Sequence, residues 1–183
     1  DVRRMLLAQK AYSEGGLALC LYGARLMDDQ HTHPDEQKRM EAGKLLDLLT
    51  PVIKAWPSEF GPKANDLAIQ VYGGAGYTRE YPVEQCWRDN RLNPIHEGTN
   101  GIQALDLLGR KIWQDQSHGL QLLMQEMQVD LEAATTDRCQ QWALSLSETL
   151  QQAVKVTQSL GKSLMSEDPD RVLANASCYL HLF

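Results

Sequence analysis

A chain of 183 residues with 43% hydrophobic side chains can bury a core, and its abundance of Leu, Ala, Gln, Glu and Lys favours helix over sheet. A formal net charge of −6 argues against an electrostatic grip on nucleic acid, and the sequence shows neither a membrane-length apolar run nor a signal-peptide pattern. Cys20, Cys86, Cys139 and Cys178 lie far apart without metal or redox spacing, which fits a reducing cytoplasm with each thiol acting as a small apolar residue.

Apolar residues at helical spacing run from Val2 to about Met27 and include Met5, Ala8, Tyr12, Leu19, Cys20, Gly23 and Leu26. They predict a first helix in which Gly15-Gly16 marks close packing or a bend. The polar run from Asp28 to Asp35 reads as a loop, and its His31 and His33 have no third ligand spaced to complete a metal site. A second helix is predicted from about Asp35 to Trp56, with Met40, Leu45, Leu46, Leu48, Leu49, Val52 and Ile53 on its apolar side. Pro51 must kink or divide it, Pro57 and Ser58 end it, and Ser58 can N-cap a third helix reaching Val71 or Tyr72. Beyond the Gly73–Gly76 cluster, a short helix is expected around Tyr81–Trp87. Asn93-Pro94 then predicts an extended approach to Glu97. The next helix starts near Thr99 or Asn100 and carries Ile102, Leu105, Leu107 and Leu108 through Arg110.

After about Trp113 a Leu- and Met-rich helix is expected from His118 to about Ala134. A longer one follows from about Arg138 to Met165, with Trp142, Leu146, Leu150, Val154, Leu160 and Leu164 on one side. The Met and Trp residues of these helices are core candidates. Asp168-Pro169 reads as an N-cap followed by proline at the first helical position, opening a last helix still running at Phe183. The expected fold is all-α in two parts, 1–111 and 112–183. Because the chain opens inside a helical pattern and closes on an apolar stretch, it reads as a piece of a longer polypeptide.

The chemistry centres on Ile95-His96-Glu97-Gly98-Thr99-Asn100-Gly101. Most glutamates near helix N-termini serve only the helix macrodipole. Here Gly98 removes side-chain bulk beside the carboxylate, Thr99 adds a hydroxyl, and Ile95 and Pro94 offer apolar walls. Desolvation by such walls would suit a general base, whereas the dipole opposes the shift. In the second glycine group Gly73 serves as a C-cap, while Gly74 and Gly76 exceed what one cap requires. No strand precedes them, so they do not form the usual dinucleotide fingerprint. Arg88-Asp89-Asn90-Arg91 reads as a local ion-pair network that fixes the loop between the two features.

Together the two features form an ordered run: Gln70-x-x-Gly73-Gly74-x-Gly76-Tyr77-x-x-Glu80-Tyr81-Pro82-Val83-Glu84-x-x-x-Arg88-Asp89-x-Arg91-x-x-x-Ile95-x-Glu97-Gly98-Thr99-x-x-Ile102-Gln103. This run resembles the C-terminal helical domain of acyl-CoA dehydrogenases, over about residues 1–111. Residues 112–183 resemble the additional helical region of a bacterial subgroup that includes methylmercaptopropionyl-CoA dehydrogenase-like enzymes. The resemblance implies a helical bundle whose first helix is missing here, and α,β-dehydrogenation of an acyl-CoA thioester to a trans-2-enoyl-CoA. It makes Glu97 the base that removes the α-proton, while the β-hydrogen leaves as hydride to FAD. The amide of Glu97 and a flavin ribityl hydroxyl would polarise the thioester oxygen. Gly98 would border the acyl chain, and Thr99, Asn100 and Gly101 would lie against FAD. Gln70, Gly73 and Gly74 would contact FAD of a neighbouring subunit in a homo-oligomer, dimer or tetramer. Electron-transfer flavoprotein is the implied acceptor. An acyl-CoA oxidase and a non-catalytic helical assembly module of the same fold are the rival readings.

This sequence departs from the family pattern at His96, where many relatives have tyrosine, and at Gly101, where many have glutamine. The domains that grip the flavin ring, and the bundle helix with its FAD-binding arginine, have no counterpart in these residues. The piece alone is therefore expected neither to hold FAD tightly nor to turn over substrate.

Overall fold

The computed structural model describes residues 1–166 and 168–183, and every regular element among them is helical. Two long helices, α1 (Val2–Thr32) and α2 (Glu36–Tyr72), fold back on each other through a three-residue link. Glycines on α1 set how closely they approach: a Cβ on Gly23 would lie 2.7 Å from Ile53, and one on Gly15 3.1 Å from the Trp56 ring. The Gly15-Gly16 pair therefore marks close packing. Tyr12 and Phe60 flank the Trp56 ring and close that end of the hairpin.

On this hairpin sit α3 (Val83–Asn90), α4 (Asn100–Gly109), α5 (His118–Glu132), α6 (Asp137–Ser166), α7 (Pro169–Leu173) and α8 (Ala176–Leu180). One hydrophobic cluster joins Leu26 of α1 and Leu45, Leu48, Leu49 and Val52 of α2 to Ala104, Leu107 and Leu108 of α4. The same cluster continues into Leu120, Leu122 and Leu123 of α5 and into Ala176, Tyr179 and Leu180 of α8. The core thus runs through both halves of the sequence, with α8 packed directly on α4.

Several expectations are corrected. The first helix does not stop at Met27. It continues to Thr32 because Thr32 Oγ1 and His31 Nδ1 donate back to the carbonyls of Asp28 and Met27, and it ends just before Pro34. The second does not end at Pro57. It passes through Pro51, Pro57 and Pro62 to Tyr72, so Ser58 is interior and its hydroxyl donates to the Lys54 carbonyl rather than capping a new helix. Each proline removes one backbone bond, while Pro51 and Pro62 are themselves buried in the hairpin. The C-terminal segment is not one helix. Asp168 does cap α7, accepting from Asp170 N, but the chain turns at Ala174 and Asn175 before α8 and leaves helix again at His181.

Not all the apolar residues of α6 are core. Trp142 is 65% exposed and Leu146 41%, and fully buried positions on this helix are Ala153 and Thr157. Its later half leans on Trp113 at Gly161 and on Tyr179 at Thr157. Its earlier half stands off α1 and α2 across an apolar cavity of roughly 350 Å³. All four cysteines are free and exposed, not buried. No described helix is long and apolar enough to cross a membrane.

The chain end is tied back by His181 Nε2, 2.9 Å from Glu59 Oε2 on α2. Partial burial raises the Glu59 pKa, but hydrogen bonds and charge from Lys63 and His181 outweigh it and hold the carboxyl below its usual 4.5. A depressed carboxylate contributes stability above its unfolded pKa and loses it as pH falls through the folded value. The unfolding midpoint of the chain should therefore exceed that of a Glu59→Gln variant at neutral pH. Urea titrations should show the gap closing below pH 4.5, and a constant gap would contradict the linkage.

Candidate active site

The route from α3 to Glu97 is coiled, not extended. Leu92 N donates to Asp89 O at 3.3 Å, Asn93 N to Asn90 O at 3.1 Å, and both Ile95 N and His96 N reach the Leu92 carbonyl. His96 Nδ1 donates to the same carbonyl at 3.1 Å. These bonds wind the chain in spite of the Pro94 restriction. Arg88 and Asp89 belong to α3 and pair along it, with Glu84 at 3.8 Å and Gln85 at 2.6 Å, and among the described residues they form no closed network with Arg91.

At the tip the backbone turns left-handed. Glu97 has φ 54° and Gly98 φ 83°, a region that non-glycine residues avoid. The positive φ favours glycine at 98, and an added Cβ would lie 2.8 Å from Gln103 Nε2 and displace that side chain. Thr99 then opens α4 as its N-cap, its Oγ1 accepting from Ile102 N at 3.2 Å, and Gln103 Nε2 donates back to Glu97 O at 3.4 Å. The carboxylate of Glu97 is exposed. The anticipated walls do not enclose it, since the coiled approach leaves Ile95 55% exposed. Among the described residues, the main-chain N–H of Glu97 donates to no protein acceptor.

Sequence reasoning missed what holds this turn. Lys54, half-buried at the middle of α2, donates through Nζ to Asn93 O at 2.9 Å and to Asn100 Oδ1 at 3.4 Å. Burial holds its pKa below the usual lysine value. Asn90 Nδ2 donates to Asn65 Oδ1 on α2 at 2.8 Å, and Asn93 Nδ2 donates to Asn90 Oδ1 at 2.6 Å. Gly61 makes room, for a Cβ there would lie 2.6 Å from Asn90 Nδ2. The available signal was a single cation set among Val52, Ile53 and Ala55 on an apolar stretch.

The second glycine group forms a 3₁₀ turn, Gly73–Tyr77, at the end of α2. Gly73 caps that helix at φ 63°, its N–H donating to the carbonyl of Gln70. Gly76 is a packing glycine: a Cβ would lie 2.8 Å from the Ile69 carbonyl oxygen and 2.7 Å from Tyr72 Cβ. Gly74 has neither reason, with nothing within 4 Å of an added Cβ. Gly76→Ala should therefore destabilise the chain by about 1–3 kcal/mol, as overpacking against immovable backbone does. Gly74→Ala should change stability by no more than about 0.5 kcal/mol. Thermal unfolding of the two variants separates these outcomes.

The structure brings Glu97, Gly98, Thr99, Asn100 and Gly101 together at the α4 N-terminus. It does not bring Gln70, Gly73 and Gly74 to them, because Lys54 and Gly73 are separated by about 28 Å along α2. Thr99 and Gly101 are exposed. The Thr99 hydroxyl keeps its hydrogen for an outside acceptor, since the oxygen already accepts from Ile102. Asn100 directs Oδ1 at Lys54 and so retains its two amide hydrogens. The start of α4 thus presents outward hydrogen-bond donors, and the end of α2 presents backbone bare of side chains at Gly73 and Gly74.

Residues 1–113 match the family model described as acyl-CoA dehydrogenase, C-terminal domain. The chain belongs to the acyl-CoA dehydrogenase family. It is 43% identical over 115 residues to 3-methylmercaptopropionyl-CoA dehydrogenase of Ruegeria pomeroyi, covering 63% of this chain and 19% of that protein. It is 41% identical over 123 residues to the broad-specificity linear acyl-CoA dehydrogenase FadE5 of Mycobacterium tuberculosis, covering 66% and 20%. This member therefore spans about a fifth of the length of these curated relatives. A solved structure, "Bd2924 apo-form", superposes on 98% of the chain and 30% of its own length with a TM-score of 0.68 at 22% identity, a likeness of fold.

Proposed function

We propose that the chain is the C-terminal helical part of an FAD-dependent acyl-CoA dehydrogenase in which Glu97 is the catalytic base. The observation that carries this reading is the left-handed, exposed Glu97 beside Gly98, braced before and after by Lys54 and Gln103. Strained backbone of this kind concentrates at working sites. In the complete enzyme the remaining domains supply the walls that this chain lacks around the carboxylate.

The Glu97 carboxylate takes the α-proton of the acyl thioester, and the resulting electron pair forms the new Cα–Cβ double bond as the β-hydrogen leaves. FAD, when bound, supplies the acceptor for that β-hydrogen as hydride. The Glu97 N–H, which has no protein acceptor among the described residues, donates to the thioester oxygen as negative charge develops there. Gly98 leaves room for the acyl chain. Thr99, Asn100 and Gly101 hold one cofactor, while Gln70, Gly73 and Gly74, about 28 Å away along α2, hold the cofactor of a neighbouring subunit. That separation supports a homo-oligomer.

We further propose electron-transfer flavoprotein as the acceptor and the cytoplasm as the location. In this reading 1–111 is the bundle proper and 112–183 an additional region added to its core. The decisive experiment is Glu97→Gln in the full-length protein, assayed with a panel of straight-chain acyl-CoA thioesters beginning at butyryl-CoA. Loss of turnover with FAD content kept supports the base, and undiminished turnover refutes it.

A further inference from the structure

We infer that Lys54 is a positioning residue for Glu97: from the inner side of α2 it ties the turn on both flanks of the carboxylate. The inference rests on the reading of Glu97 as the base. Its two acceptors, the Asn93 carbonyl and Asn100 Oδ1, bracket the left-handed pair Glu97-Gly98 in the chain. A left-handed non-glycine residue persists only where its surroundings over-determine it. Gln103, on the core helix α4, holds the Glu97 carbonyl from the C-terminal side. Lys54 adds an anchor from a second core helix, α2, whose neighbouring Val52 and Ala55 are buried.

The asparagines complete the attachment. Asn65 on α2 accepts from Asn90, and Asn90 accepts from Asn93, so the Asn93 side chain is held laterally while its carbonyl is held from beneath by Lys54. An ammonium suits this place because it has three donors on a flexible stem and its hydrogen bonds are charge-assisted. It reaches two acceptors from one helix position, which a neutral side chain of that length cannot do as strongly. Lys54 need not touch substrate; its effect passes through the backbone of residues 93–100.

The test uses full-length Lys54→Met protein, which keeps the stem and removes the donors. Butyryl-CoA and longer straight-chain thioesters serve as probes, with an artificial electron acceptor. Expected is a fall in kcat of about tenfold to a hundredfold, the scale of an ångström's misplacement near a reacting centre, with KM, FAD content and melting temperature nearly unchanged. Amide hydrogen exchange over 93–100 should accelerate while that of the α2 core does not. Should Lys54→Met fail to fold, Asn90→Ala removes the lateral brace and should give the same pattern in smaller degree. Unchanged kcat, unchanged exchange, or a loss of kcat that merely follows loss of FAD and melting temperature would each overturn the inference. Collapse of turnover in Glu97→Gln but not in Lys54→Met would sink this positioning role alone. Undiminished turnover in Glu97→Gln would instead remove the base assignment on which it rests.

Discussion

Replacing Glu97 with glutamine in the full-length protein should lower turnover by between about 10²- and 10⁴-fold, the span general-base groups contribute. Glutamine keeps the length and hydrogen-bonding oxygen of the side chain but cannot accept the α-proton, so binding of the thioester should change far less than kcat. A mutation that removes a group needed only in the transition state lowers kcat and kcat/KM together. The strained backbone gives a control within the same residue. Because φ 54° at position 97 belongs to the turn and not to the carboxylate, glutamine meets the same conformational demand, and FAD content should stay at the wild-type level. Loss of both turnover and FAD would instead mean that the residue holds the turn together, and intact turnover would place the base elsewhere.

How far the site was legible follows from what each residue does locally. Thr99 as N-cap, Gly73 as C-cap and Asp168 before Pro169 each satisfy helix ends within a few residues of themselves, so spacing alone locates them. Glu97 and its neighbours stand out as a helix start for the same reason, and the family resemblance is what proposes roles for them. Pro51 and Pro57 of α2 misled because whether proline ends a helix depends on what the rest of the fold presses against it. Here Pro51 and Pro62 are buried in the hairpin. Lys54 was invisible because its partners, Asn93 and Asn100, lie far along the chain and are recruited only when the turn lands on α2. The exposed Glu97 carboxylate was likewise beyond local reasoning, since neighbours in sequence do not decide which side chains enclose it.

Tyr179 on α8 should be the most costly single truncation in the additional region. It is 2% exposed, it joins the same hydrophobic cluster as Leu107 and Leu108 of α4, and its hydroxyl lies 2.7 Å from Thr157 Oγ1. Thr157 spends its own hydrogen on the Ala153 carbonyl at 2.8 Å, so Tyr179 is the donor in the pair. Tyr179→Phe removes that bond and keeps the ring, and should cost about 0.5–1.5 kcal/mol. Tyr179→Ala empties the ring volume as well and should cost about 3–5 kcal/mol, the range for buried aromatic truncations. Urea unfolding of the 183-residue chain, followed by tryptophan fluorescence and circular dichroism, tests more than magnitude. Trp56 reports on the hairpin and Trp113 on the junction with α6. Because one core joins α2, α4, α5 and α8, both variants should unfold in a single transition shifted to lower urea. An early transition confined to the later helices, with the hairpin melting where it does in the wild type, would show that α8 covers α4 without sharing its stability. In that case 112–183 would be a separate folding unit.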